Sequence, residues 1–219
     1  MAAELFPDGS RYYIGTAQAT AINATSVSNA NPAVVSATAH GLTDGDYVVV
    51  TSSWPQLDGM LLRVEDSTTD DFELGGVDTS DTTKFPTGGT LSVKKVTTWL
   101  EIPKIMNPQS SGGEQQFFTW QYLAEKIQRQ KPTVKSAKSI GMEVAYDDTH
   151  PAHYTALIEA DESGNAYPIR VRLPSGTEMA YSMFIGFDAD PSKNQGQIMT
   201  NALAMSSAAP GFKAYKPLA

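Results

Sequence analysis

Residues 37–89, ATAHGLTDGDYVVVTSSWPQLDGMLLRVEDSTTDDFELGGVDTSDTTKFPTGG, decide the fold class of this chain. Turn signals and apolar runs alternate through them. His40-Gly41-Leu42 and Asp44-Gly45-Asp46 precede Tyr47-Val48-Val49-Val50. Asp58-Gly59 precedes Met60-Leu61-Leu62-Arg63-Val64, and Asp70-Asp71 precedes Phe72-Glu73-Leu74. Gly75-Gly76 and Gly88-Gly89 mark later turns. Gly and Asp adopt turn conformations that bulkier residues disfavour. Short strands recurring every ~8–12 residues between such turns predict a small β-barrel or sandwich.

Outward from this stretch the chain stays mainly β. Residues 11–27, RYYIGTAQATAINATSV, read as an extended strand that Asn29-Ala30-Asn31-Pro32 breaks. Residues 96–106, VTTWLEIPKIM, predict a strand with Trp99 and Ile102 packed. Residues 107–116, NPQSSGGEQQ, read as a flexible loop. In residues 117–130, FFTWQYLAEKIQRQ, Trp120, Leu123, Ala124 and Ile127 follow i, i+3, i+4, i+7 spacing. That spacing predicts a short amphipathic helix, with Thr119 as its cap and Lys131-Pro132 as its stop. Residues 136–146 predict a strand. Asp147-Asp148-Thr149-His150-Pro151 reads as a helix start, capped by Asp148 or Thr149, with Pro151 in the first turn. The helix buries Tyr154, Leu157 and Ile158 and ends near Ala160 in this reading. Residues 167–173 form the next strand, Pro174-Ser175-Gly176-Thr177 a hairpin connection, and Met179, Tyr181, Met183, Ile185 and Phe187 alternate along its partner. Residues 198–206 predict the last strand, with Met199, Leu203 and Met205 on one face.

Composition narrows the functional classes. The 219 residues suit one large or two small domains. The net charge of −8 disfavours attachment to nucleic acid or anionic lipid by charge alone. Between residues 30 and 95, ten carboxylates against four cations predict a well-solvated surface. The chain has no cysteine, hence no disulfide framework and no thiol chemistry. No apolar run approaches the ~18 residues of a membrane span, so no membrane partner is expected. Residues 1–7 lack the basic and apolar regions of a secretory leader.

No motif makes a positive case for an enzyme, a metal or a cofactor. His150 and His153 are three apart with no third ligand, and the neighbouring Asp147 and Asp148 are the residues a helix start uses. His40 reads as a turn residue. The acidic turns match no calcium-loop spacing. Gly-x-Ser-x-Gly, phosphate-binding Gly-rich loops and His-Glu-x-x-His are absent. The aromatic run Phe117, Phe118, Trp120 and Tyr122 stands out instead. It follows a Gly/Ser-rich stretch and precedes Lys126, Arg129, Lys131, Lys135 and Lys138. These aromatics are either core residues or a surface that orders on meeting a partner, and the adjacent charge favours the second.

The element order resembles the major tail tube proteins of phages with long non-contractile tails. The resemblance is carried by Tyr154-Thr155-Ala156-Leu157, by residues 167–177 (YPIRVRLPSGT), and by the long strand through Gly186-Phe187. It covers residues 11–27 and about 96–212, while the module at 30–95 resembles a small β-domain found in phage tail proteins. The resemblance implies a mainly β fold: a barrel-forming tail-tube β-sandwich flanked by a short helix, with an inserted small β-barrel domain. Residues 1–29 and 96–219 would form the tube domain, 30–95 the outward-facing insertion, and 107–135 a mobile inter-ring assembly loop. Phe117, Phe118, Trp120, Tyr122 and Leu123 would make the inter-ring contact. Six subunits would close a ring, and rings would stack into a virion tail tube that conducts DNA without binding it specifically. Thr16, Gln18, Thr20 and Glu143 would line the lumen, with Asp188 near its rim. Tape measure, terminator and tail-tip proteins would be the other partners, and the protein would be made in the host bacterial cytoplasm. The competing reading is a monomeric surface-binding module that recognises glycan or protein through the inserted domain.

Overall fold

The apolar runs of residues 37–89 become strands because the intervening Gly and Asp residues take the turns. Gly45, Gly59 and Gly76 all have positive φ, at 90°, 74° and 66°. The computed structural model describes residues 7–218. Residues 1–6, where the sequence predicts no secretory leader, and residue 219 lie outside them. The first half holds β1 (Arg11–Gln18), β2 (Ile22–Asn23), β3 (Ser26–Val27), β4 (Ala33–Ser36), β5 (Tyr47–Ser52), β6 (Leu61–Glu65), β7 (Asp71–Leu74) and β8 (Leu91–Ile102). Then come β9 (Ile105–Ser111), β10 (Gln115–Trp120), β11 (Arg129–Lys135), β12 (Ser139–Ala145) and α1 (Ala152–Ser163). β13 (Ala166–Arg172), β14 (Glu178–Phe187), β15 (Thr200–Ser207) and β16 (Lys213–Tyr215) complete the chain. The described residues are mainly β, as the sequence predicts, with one short helix.

One antiparallel sheet runs β3-β4-β7-β6-β5-β8-β1-β13-β14-β15-β12-β9, and β10–β11 form a separate two-stranded ribbon. The single strand expected over residues 11–27 is three strands. Register shifts between Gly15 and Gln18 bend β1 away from regular pairing. Gly15 is required there, because a Cβ would meet Val96 and Pro168 side chains at 2.6 and 2.7 Å. The helix runs to Ser163, past the expected end near Ala160, and stops where Gly164 turns left-handed at φ 61°. Its N-cap is Pro151, and no side chain caps it. Neither Asp148 nor Thr149 takes that role. Instead the Asp147 carboxylate accepts the Thr149 N–H at 3.1 Å and hydroxyl at 2.6 Å, one turn too early. Met199 is exposed just before β15, whereas Leu203 and Met205 are buried.

Two apolar cores organise the sheet. One gathers Val48, Leu62, Phe72, Leu74 and Val93, and takes in Ile22, Ala24, Val27 and Ala209 from outside residues 30–95. The other gathers Ile14, Leu157, Ile169, Met183, Leu203 and Met205. β8 serves both, pairing with β5 and β2 through its first half and with β1 through its second. The expected boundary at residues 95–96 therefore falls inside a continuous strand. A third cluster, Tyr47, Leu61, Val96, Ala180 and Tyr215, fills the junction. There the Tyr215 hydroxyl accepts the Arg63 N–H at 3.1 Å and donates to the Gly75 carbonyl at 3.2 Å. The Arg63 guanidinium lies 4.6 Å over the Tyr215 ring. Tyr47 donates its hydroxyl to Glu178 at 2.7 Å. Burial first, then that carboxylate, raise the Tyr47 pKa.

The seven strands β8-β1-β13-β14-β15-β12-β9 begin and end with neighbours in sequence, since only Pro103 and Lys104 join β8 to β9. Accumulated twist of about 20–25° per strand pair rolls the sheet. Ile102 and Ile105 thus meet on the same core. Helix α1 packs on β14 and β8 and covers the end of the roll where β12 exits and β13 begins.

Candidate assembly interface

Residues 105–145 form one long β-hairpin. β9 and β10 run out, and β11 and β12 run back. β9 pairs with β12 from Val144↔Ile105 to Ser139↔Ser111. The ladder continues through the Gly113 N–H to the Ser136 carbonyl at 3.0 Å and the Ser136 N–H to the Glu114 carbonyl at 2.9 Å. β10 and β11 then pair from Gln115↔Lys135 to Trp120↔Arg129. Gly112 and Gly113, both at φ 79°, make the hinge. A Cβ on Gly112 would lie 1.9 Å from the Ala137 carbonyl oxygen, so only glycine fits.

The two halves of the hairpin meet different surroundings. The proximal half buries Ile140, Met142 and Val144 in the rolled core. The distal half, residues 112–138, buries nothing. Phe117, Phe118 and Tyr122 are 55%, 63% and 57% exposed, Leu123 is fully exposed, and Trp120 is half-buried. Phe118 and Trp120 stack at 6.0 Å on one face of β10. Glu125 pairs with Arg129 at 2.6 Å, and the Arg129 guanidinium sits 5.4 Å over the Tyr122 ring. Ile127, which the sequence reading placed on the apolar stripe of a helix, and Val134, which it did not single out, are further exposed apolar residues.

The helix predicted for residues 117–130 is not formed, and residues 107–116 are not an irregular loop. Phe117 to Trp120 complete β10, residues 121–128 turn, and β11 follows. An isolated amphipathic helix draws most of its stability from packing its apolar stripe. Here no surface of the same chain receives that stripe. The signals for a strand were the i, i+2 aromatic pair Phe118/Trp120, the β-branched Thr133 and Val134, and the Gly112-Gly113 hinge. Pro132 is tolerated because the ribbon leaves an edge on which its missing N–H breaks no ladder.

Charge distinguishes this arm from the rest of the molecule. Residues 112–138 carry five cations and two carboxylates, while the remainder carries 11 cations and 22 carboxylates. The five residues expected at a lumen fall into two groups. Glu143 and Asp188 come together: Glu143 pairs opposite Ala202, and the Asp188 N–H bonds the Ala202 carbonyl at 3.0 Å. Both are exposed on the outer face of the roll, beside Gly141, Ala204 and Gly186. Thr16 and Gln18 lie on β1, with β13, β14 and β15 between them and β12, and Thr20 lies just beyond β1. All three are exposed.

The histidines have local roles. His40 accepts the Leu42 N–H at 3.0 Å within its turn and sets its ring edge-on to Phe72. His150 stacks on Tyr154 at 4.8 Å. Burial lowers the His153 pKa. Among the described residues no group of three or more His, Asp and Glu is arranged to hold a metal, and no helix is long and apolar enough to cross a membrane.

Fold and site together define a β-structured building block that carries an exposed arm. The family model described as "Phage tail tube protein, TTP" matches residues 52–212, and the chain belongs to that family of structural tail proteins. One similar solved chain comes from a structure titled "Tail of empty GTA particle computed with helical refinement, C6 symmetry". It is 12% identical with a TM-score of 0.42, covering 56% of this chain and 88% of that one. No curated protein matches in sequence.

Proposed function

We propose that this tail tube protein closes into six-membered rings that stack into a tail of the long, non-contractile kind, through which DNA leaves the particle. The observation that carries this reading is the distal hairpin. A two-stranded ribbon is marginal alone in water, and this one exposes its aromatic residues beside a cluster of cations. Phe117, Phe118, Trp120, Tyr122 and Leu123 gain a buried environment when a neighbouring ring covers them. The outer face of β12, β15 and the end of β14 forms the lumen wall. Its outward residues there are mostly small or acidic, from Gly141 and Glu143 to Ala202, Ala204, Gly186 and Asp188, with Phe184 the one large apolar side chain among them. A face without cations avoids the phosphate contacts that would hold DNA back. Glu143 and Asp188 belong to this wall. Thr16, Gln18 and Thr20 fit it only if β1 also reaches the channel.

Residues 30–95 project outward as the acidic module of the wall, anchored through β8. Tape measure, terminator and tail-tip proteins complete the list of partners. Negative-stain microscopy tests the core of the proposal. The full chain at high concentration should form rings and tubes. A chain in which a two-residue turn replaces residues 114–135 should keep its thermal unfolding transition and lose the tubes. Full-length tubes from the trimmed chain would remove the arm from assembly.

A further inference from the structure

The hairpin leaves the roll at one end, and the other end carries the opposite charge. β9 and β12 meet at Ser111 and Ser139 where the arm departs, and the same strands meet α1 and the loop at residues 188–199 at their far end. The eight residues of β15 set these ends about 25 Å apart. Residues 146–165 contain five carboxylates and no Lys or Arg. Asp188 and Asp190 add to them. The two nearby lysines are already engaged, Lys104 with Asp147 at 3.2 Å and Lys193 with Asp190 at 2.5 Å. Glu159 and Glu162 are exposed on α1. At the same end the loop exposes apolar side chains, Ile198 at 69% and Met199 at 39%, and the Met199 carbonyl accepts the Tyr146 N–H at 2.9 Å, next to Asp147. An apolar patch rimmed by charge marks a contact surface.

We infer that this α1 end is the receiving surface for the arm of a second copy of the chain, so that charge polarity along the strands sets the direction of stacking. The inference rests on the arm being the ring-to-ring contact proposed above, and adds where it lands. Phe118, Trp120 and Leu123 meet the Ile198–Met199 patch. Lys131 and Lys135 face the carboxylates of α1. Translation along the strand direction brings the arm-bearing end of one copy to the α1 end of the next, a heterologous contact that does not close on itself and therefore propagates. Reversed stacking would set like charges together. The attraction acts over about one Debye length, ~8 Å at physiological salt, so it orients copies before the apolar contacts form.

Charge exchange tests this on the full-length chain, with tube yield read by sedimentation and microscopy and monomer folding by circular dichroism. Lys131→Glu with Lys135→Glu should lower tube yield at least tenfold, as should Glu159→Lys with Glu162→Lys. All four changes in one chain restore complementarity and should bring tubes back. Wild-type yield should fall as salt rises. Normal tubes from either charge-reversed pair overturn the inference, as does a fourfold variant that folds without recovering tubes. Neither result touches the role of the arm itself, which fails only if the arm-trimmed chain still builds tubes.

Discussion

β9–β12 and β10–β11 are two halves of one hairpin, hydrogen-bonded in the same antiparallel way, yet only one half is built into the fold. In the proximal half, alternate side chains from Ile140 to Val144 lie against Leu203 and Met205. In the distal half the pairing continues, but no side chain is buried. Backbone hydrogen bonds contribute little net stability when water can replace them. Burial of apolar area is what separates the halves. The distal ribbon is an exposed surface, whereas the proximal half is core.

The sharpest way to break this contrast is a core deletion in the proximal half. Met142→Ala should destabilise the subunit by about 2–5 kcal/mol in urea unfolding. A loss below about 1 kcal/mol would mean that the rolled core is looser than its burial indicates. The junction between the two cores comes next. Tyr215→Phe removes the hydroxyl that serves Arg63 and Gly75 and should cost about 1–3 kcal/mol, because a buried N–H is left unpaired. An unchanged melt would show that water reaches the site.

The hinge should give a smaller and more local effect. Gly112→Ala forces a Cβ against Ala137 and a side chain into left-handed φ. Amide exchange in Gln115–Trp120 should speed up while global stability moves by no more than about 1 kcal/mol. Slow, unaltered exchange would make the ribbon independent of its hinge. The smallest effect belongs to the tip. Leu123→Ala should leave subunit stability within about 0.5 kcal/mol of the parent, since the side chain touches nothing in its own chain. A larger loss would reveal a contact within the free subunit.

Local chemistry was legible wherever it agreed with burial. Asp44-Gly45, Asp58-Gly59 and Asp70-Asp71 announced β5, β6 and β7. Pro174-Ser175-Gly176-Thr177 announced the β13–β14 hairpin, whose alternation from Met179 to Phe187 matches its buried face. Tyr154 and Leu157 announced α1. The arm was misread because periodicity reports burial. Side chains with no core to face obey no period, and Trp120, Leu123, Ala124 and Ile127 fell on helical spacing by coincidence. β16 was invisible, since Lys213-Ala214-Tyr215 is too short to alternate and pairs only because Tyr215 reaches the junction.

Composition and turn chemistry by themselves determined a mainly β, cysteine-free, acidic protein without a catalytic motif, and they marked residues 117–138 as an aromatic and basic exception. Tertiary structure alone decided that β8 runs through both cores, that the seven strands from β8 to β9 wrap one core, and that Glu143 and Asp188 flank Ala202. Those features depend on strand pairings between residues far apart in sequence, whose register is set by the fit of whole faces. No local window of residues encodes that fit.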